Sequence, residues 1–167
     1  MRWIGIVFAL VLGVGGAPSR AAALDRPTGP VILTITGAIS RFNDGDRAIF
    51  DRSMLEMLGK ASFRTSTPWT DGVVEFEGVP VKALLDAVGL TGTRLRAVAI
   101  NDYAIDLDAT EFDTVPALLA MKMNGVELRV RDKGPLWIVF PRDDLPAFHA
   151  EANNYKWIWQ LKTISVR

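Results

Sequence analysis

The apolar positions of this chain change period several times, and each change predicts an element. In VILTITGAI (31–39), Val31, Leu33 and Ile35 alternate with Ile32, Thr34 and Thr36, all strand formers, so a strand ending at Gly37 is expected. DRSMLEML (51–58) places apolar residues at 54, 55, 57 and 58 behind Asp51, which suits an N-cap, with Gly59 as a stop: a short helix. FRTSTPW (63–69) reads as a strand running into a turn at Pro68. Val73 to Phe76 form the next strand, and Gly78 is expected to make the turn after it. Pro80 then stands where a first helical turn tolerates it, and Val81, Leu84, Leu85 and Val88 recur at helical spacing before Gly89.

The second half reads mainly as strands. LRAVAI (95–100) is of the buried type, and NDYAIDL (101–107) continues it after a break at Asn101–Asp102. Asp108 caps an acidic turn. Within ALLAMKMNGVELRV (117–130), Asn124–Gly125 is a hairpin signal. GPLWIVFP (134–141) is a short apolar strand fenced by prolines, RDDLPAFHAEANN (142–154) a polar loop, and YKWIWQLKTISV (155–166) the final strand. Neither repeats nor low-complexity tracts occur. Many strands with a few short helices predict one α+β, mainly-β domain.

Composition narrows the function classes. A chain of 167 residues, 49% of them hydrophobic, supports a single core. Arg2 precedes an apolar stretch from Trp3 to Gly16 that is too short and glycine-rich for a comfortable membrane span, and SRAAA follows with small residues at A-x-A spacing. The expectation is a signal peptide over 1–23, cleaved after Ala23, ahead of an exported, periplasmic domain over 24–167. The alternative is an uncleaved N-terminal anchor. Without Arg2 and Arg20 the 19 basic residues fall to 17 against 19 acidic ones, and no basic stripe tracks a phosphate backbone, which argues against nucleic acid. The chain has no cysteine, hence neither disulfides nor thiolate ligands or nucleophiles. With His149 as the only histidine, no zinc site is expected.

The order FRTSTPW, FEGVPVKALLDAVG, AINDYAIDL, LLAMKMNGVELRVRDKGPLWIVFP and YKWIWQLKTISV resembles the molybdopterin-binding domain of sulfite-oxidase-fold proteins, over roughly residues 30–167. The resemblance implies a single sulfite-oxidase-like domain. Catalytic members of that family carry a molybdenum-ligating cysteine in an F-R-C segment, with a tryptophan four residues on. Thr65 stands at the ligand position here and Trp69 is kept. A protonated threonine oxygen is a hard donor that does not replace a soft thiolate on molybdenum, so no metal and no sulfite-oxidase chemistry are expected. Catalytic relatives also hold the cofactor's phosphate end with basic residues before the final strand. This chain has Asp143, Asp144 and Glu151 there against Arg142 and Lys156, a loop that would repel a phosphorylated tail. The implied ligand is a dephosphorylated, reduced pterin.

Small exported proteins of this fold that lack the cysteine resemble periplasmic pterin-binding regulators of membrane-bound diguanylate cyclase/phosphodiesterases. That subgroup implies a non-catalytic monomer whose partner is the periplasmic domain of a membrane receptor. The alternatives are a molybdopterin-dependent oxidoreductase and a subunit that docks on an electron-transfer partner.

A pterin needs an aromatic face, a carboxylate or similar acceptor for its paired N–H groups, and hydroxyl or backbone partners for the rest. Asp102, flanked by Asn101 and Tyr103, is the candidate carboxylate, against the reading of an ordinary turn aspartate. Trp69 and Trp137, the latter where relatives have an arginine facing the cofactor, are candidate stacking platforms, against the reading of core residues. Trp157 and Trp159 alternate and would share a strand face, with at least one of them in the core. Thr65 and Thr67 face one way and Ser66 the other, so the two threonines are candidate pocket hydroxyls. Lys156 could touch a ligand side chain or be solvated. Lys133 and His149 read as solvated, and Arg142, Asp143 and Asp144 as a solvated loop or part of a partner surface.

Overall fold

A computed structural model describes residues 24–167, so the leader expected over 1–23 lies outside the described residues. Along the chain run β1 (Leu33–Gly37), β2 (Ala48–Phe50), α1 (Arg52–Met57), β3 (Ala61–Ser66), β4 (Val73–Pro80) and α2 (Val81–Ala87). They are followed by β5 (Arg94–Ala99), β6 (Ala104–Asp108), β7 (Leu118–Met123), β8 (Val126–Glu127), β9 (Trp137–Val139) and β10 (Leu161–Val166). One sheet has the order β2-β1-β10-β5-β6 and the other β3-β4-β7-β8, with β9 also paired to β7. Among the described residues only the β1–β10 pair is parallel; it locks the start of the described chain to its end. The mainly-β class with short helices is the one the sequence predicts.

Local chemistry explains most of the elements. In β1, Leu33 and Ile35 are fully buried while Thr34 and Thr36 are half-buried, which is the period-2 signature of a strand with one face in the core. The Asp51 side chain accepts from Met54 N at the start of α1, and Met54 and Leu55 are the residues that helix buries. In α2 the buried residues are Val81, Leu84 and Leu85, and Gly89 follows in the left-handed region (φ +60). Asn124 and Gly125 both take positive φ and turn β7 into β8.

Two expectations are corrected. Gly78 does not turn the chain; β4 continues through it to Pro80, with a register shift against β7 between Glu77 and Gly78. A Cβ at position 78 would sit 2.1 Å from the Leu119 carbonyl oxygen, so glycine is there to let β4 and β7 backbones approach. The final strand begins at Leu161, not Tyr155. Residues 151–156 form a short 3-10 helix, and Gln160 takes φ +52 to enter β10. The stretch between them is held by other partners: Ile138 N donates to the Ile158 carbonyl at 2.9 Å and Gln160 N to that of Lys133 at 3.0 Å. The polar loop before it contains further 3-10 turns at Arg142–Asp144 and Pro146–His149.

Asp51 is the one buried carboxylate among the described residues, at 2% exposure. It accepts from Met54 N (2.9 Å), Ser53 Oγ (2.7 Å), and Gly29 N and Thr28 N (both 2.8 Å), tying the segment before β1 to the start of α1. The Met54 N–H, then the Ser53 hydroxyl and the Gly29 N–H, hold its pKa far below the ordinary carboxylate range. A depressed folded-state pKa gives stability that is present above the unfolded value near pH ~4 and is lost as pH falls below it. Asp51→Asn is therefore expected to lower the melting temperature at pH 7 by roughly 2–8 °C. It should also flatten the decline of melting temperature between about pH 5 and pH 3. Thermal unfolding of both proteins across that range checks this.

Candidate functional site

The hydroxyl-rich segment at the end of β3 is built to hold itself together. Thr65 and Thr67 are, with Asp51, the buried polar side chains among the described residues, at 0% and 5% exposure. The Thr65 hydroxyl accepts from Asp143 N at 3.1 Å. Ser66, on the other face, donates from its backbone N to Asp143 Oδ2 at 2.6 Å and from its hydroxyl to Oδ1, and Arg142 donates to the Ser66 hydroxyl at 3.1 Å. The Ser66 hydroxyl, with its N–H and the nearby Arg142 cation, keeps the Asp143 pKa low. The Arg142–Asp144 turn thus closes over position 65, and Asp143 is neither simply solvated nor free for a partner.

Thr67 has a different task. Its Oγ1 accepts from Trp69 N at 3.1 Å and lies 3.1 Å from Thr70 Oγ1, while its own N donates to Thr70 Oγ1 at 3.1 Å. This hydroxyl-bonded turn, closed by Pro68, fixes where the Trp69 indole points. The ring lies 5.3 Å from that of Trp159, near edge-on, and 6.1 Å from that of Trp157 at 56°.

These three tryptophans wall a cavity of about 310 Å³, at the lower end of the range for small-molecule sites. Tyr103 and Tyr155, half exposed, stand at its border, and Asn101 and Asn154 add polar groups. Ala99 and Ile158 supply further apolar surface. The β5–β6 turn contributes Asn101 and Tyr103: Ala99 N donates to the Tyr103 carbonyl at 2.8 Å, and Asn101 Oδ1 accepts from Tyr103 N at 3.3 Å. The 3-10 helix over 151–156 brings Asn154 and Tyr155.

Of the residues the sequence singles out, Trp69, Asn101 and Tyr103 meet at this cavity. The other five do not line it. Thr65 is sealed by Asp143, and Thr67 is consumed in the turn that carries Trp69. Asp102 is exposed at the apex of the β5–β6 turn with φ +64, its N donating to the Ala99 carbonyl at 3.1 Å; it is the ordinary turn aspartate. Trp137 is fully buried, edge-on to Phe76 at 5.3 Å and to Trp159 at 6.3 Å, and is core. The Lys156 ammonium pairs with Glu111 at 2.5 Å, both side chains mostly buried, and sits over the Phe148 ring. Lys133 is not merely solvated either: its ammonium lies 5.7 Å from the centre of the Trp137 ring.

Sequence reasoning missed Asn154, which lies in a polar loop with no recognisable period, and Tyr155, which reads as the first residue of the final strand. It left Trp157 and Trp159 as strand residues sharing a face; the structure bends the chain there and brings both to Trp69. The usable signal was density: three of the five tryptophans of the chain meet here.

Two packed sheets with this order of segments define a sulfite-oxidase-type fold. The sequence profile of the oxidoreductase molybdopterin binding domain matches residues 51–166, and the chain belongs to that family. Among solved structures, the sulfane dehydrogenase SoxCD of Paracoccus pantotrophus matches with a TM-score of 0.62 at 18% identity. The match covers 80% of this chain but 37% of that one, so the present chain spans little more than a third of its length. No curated protein matches the sequence significantly.

The residues fit the two halves of a molybdenum cofactor unequally. Position 65 presents a buried hydroxyl already bonded to Asp143 N, and the chain has no thiolate to offer. Among the described residues no group of three or more His, Cys, Asp or Glu is placed to hold a metal. This donor set does not suit thiolate-bound molybdenum. The tryptophan cavity, by contrast, is compatible with a flat heterocycle such as a pterin.

Proposed function

We propose that this protein binds a pterin in the tryptophan cavity without catalysing a reaction on it, acts in the periplasm, and relays pterin occupancy to a membrane-bound cyclic-di-GMP cyclase/phosphodiesterase. The observation that carries the ligand part is the cavity walled by Trp69, Trp157 and Trp159, beside a position 65 that is closed by Asp143. Stacking surface is present where a bicyclic ring needs it, and the donor set for the metal is not. The signalling part is supported by the resemblance of the cysteine-less, exported sequence to pterin-binding regulators. Exposed Tyr103 and Tyr155 beside the cavity give a partner surface that would respond to what the cavity holds.

Titration with 6-hydroxymethylpterin and with its tetrahydro form, followed by calorimetry, tests the ligand part. Saturable one-to-one binding of either form is expected, and binding of neither would remove the reading. Deleting the gene in its host tests the relay: cellular cyclic-di-GMP should change when pterin synthesis is intact, and an unchanged level would remove the regulatory role. A second reading, an oxidoreductase that keeps molybdopterin, is favoured by family membership and by the fold match to a sulfane dehydrogenase.

A further inference from the structure

β3 is an edge strand: it pairs with β4 on one side only, in the register Ala61↔Gly78 to Ser66↔Val73. Which of its backbone groups face outwards follows from the strand beside it. Glu75 N donates to Asn124 Oδ1 at 3.0 Å and the Glu75 carbonyl accepts from Asn124 N at 2.8 Å, so Glu75 turns its backbone away from β3. Arg64, opposite Glu75, therefore turns its own N–H and carbonyl to the free edge, and two-residue alternation puts those of Ser62 and Ser66 there too. The Ser66 N–H bears out this direction, donating outwards to Asp143 Oδ2 at 2.6 Å. Asp143 thus stands in for a neighbouring strand at the end of the edge, while Ser62 and Arg64, both exposed, have none.

The two faces of that edge differ. On the inner face, Ala61 and Phe63 pack partly buried against the core and border a mainly apolar groove of about 300 Å³ with Leu118, Pro141 and Leu145. The outer face carries charges that alternate strand by strand. Glu127 on β8 stands opposite Lys122 on β7, and Lys122 opposite Glu77 on β4. Glu75, on the same face of β4, stands opposite Arg64 on β3. Lys60, just before β3 and also exposed, shares this face, so the series ends at the edge on two cations. Among the described residues neither Lys60 nor Arg64 is in an ion pair. Opposite charges on neighbouring strands are favourable and like charges are not. A second copy of this edge would gather four cations on one face, whereas an acidic strand continues the alternation.

We propose that the β3 edge docks an extended, acidic segment of a partner protein, which adds to the sheet as a further strand. Its backbone bonds to Ser62 and Arg64, its apolar residues face the groove beside Phe63, and the acidic residues alternating with them meet Lys60 and Arg64. None of these residues lines the tryptophan cavity, so the docking site is separate from it and independent of what it holds.

The test is an NMR titration of the isotope-labelled protein with the capped peptide Thr-Glu-Val-Thr-Val-Glu-Thr and with its counterpart carrying lysine for glutamate. With the acidic peptide, the Ser62 and Arg64 amides should shift and gain protection from exchange. That peptide should bind at least about 5-fold more tightly than the basic one at low salt, with the preference shrinking in ~0.5 M salt. The double variant Lys60→Glu, Arg64→Glu, changed at two exposed positions, should reverse the preference; the wild-type comparison decides alone if that variant does not fold. Binding of neither peptide at ~1 mM overturns the docking site, as do equal affinities or shifts that miss Ser62 and Arg64. Protection of the same amides that grows with protein concentration in the absence of peptide would assign the edge to a second copy and overturn the acidic partner.

Discussion

Replacing Trp69 by alanine is expected to weaken pterin binding by about 1–3 kcal/mol, roughly 5- to 150-fold, the range measured when an aromatic platform under a flat heterocycle is removed. The fold should tolerate the change. Trp69 is only partly buried, and the turn that carries it is held by Thr67 and Thr70 rather than by the indole. Calorimetric titration together with thermal unfolding separates the two effects: affinity should fall and the melting temperature should move little. Unchanged affinity would remove Trp69 from the site.

Trp137→Ala is expected to do the opposite. The side chain is fully buried between Phe76 and Trp159, and deleting a large aromatic from such a position costs about 3–5 kcal/mol, the transfer term plus the cavity left behind. At 2–4 °C per kcal/mol for a chain of this size, the melting temperature should drop by roughly 6–20 °C. The milder Trp137→Phe should retain pterin affinity within a few-fold, because Trp137 supports the cavity wall through Trp159 and does not face the ligand. Denaturant unfolding and titration of both variants check this. A ligand platform at Trp137 would instead show as a loss of affinity in Trp137→Phe with little loss of stability.

The contrast between these two tryptophans shows how far the sequence could be read. Period-2 alternation locates β1, the Asp51 cap α1, helical spacing α2 and the Asn-Gly turn the hairpin, because those signals are local. Gly78 misleads for a physical reason: glycine marks turns, but it also marks places where two backbones nearly touch, and only the β4–β7 pairing tells them apart. The site is half legible. Trp69, Asn101 and Tyr103 lie in segments whose order carries the family resemblance. Asn154 and Tyr155 lie in a short 3-10 helix that the sequence reads as the end of a loop and the start of a strand, and their arrival at the cavity depends on β10 beginning only at Leu161.

Thr65 is a subtler case. Its identity in the sequence signals a missing thiolate, while the structure adds that the position is closed, with Asp143 N donating to its hydroxyl and Asp143 itself bonded to Ser66. Restoring a cysteine at position 65 would therefore not by itself open a metal position, since the Arg142–Asp144 turn still covers it.

Pterin binding without molybdenum can be checked on protein purified from its own host. Elemental analysis and mass spectrometry of the extracted ligand would be run on the same sample. A pterin lacking phosphate is expected, with molybdenum far below one atom per chain. Molybdenum at one atom per chain, released together with a phosphorylated molybdopterin, would overturn metal-free pterin binding and favour the oxidoreductase reading.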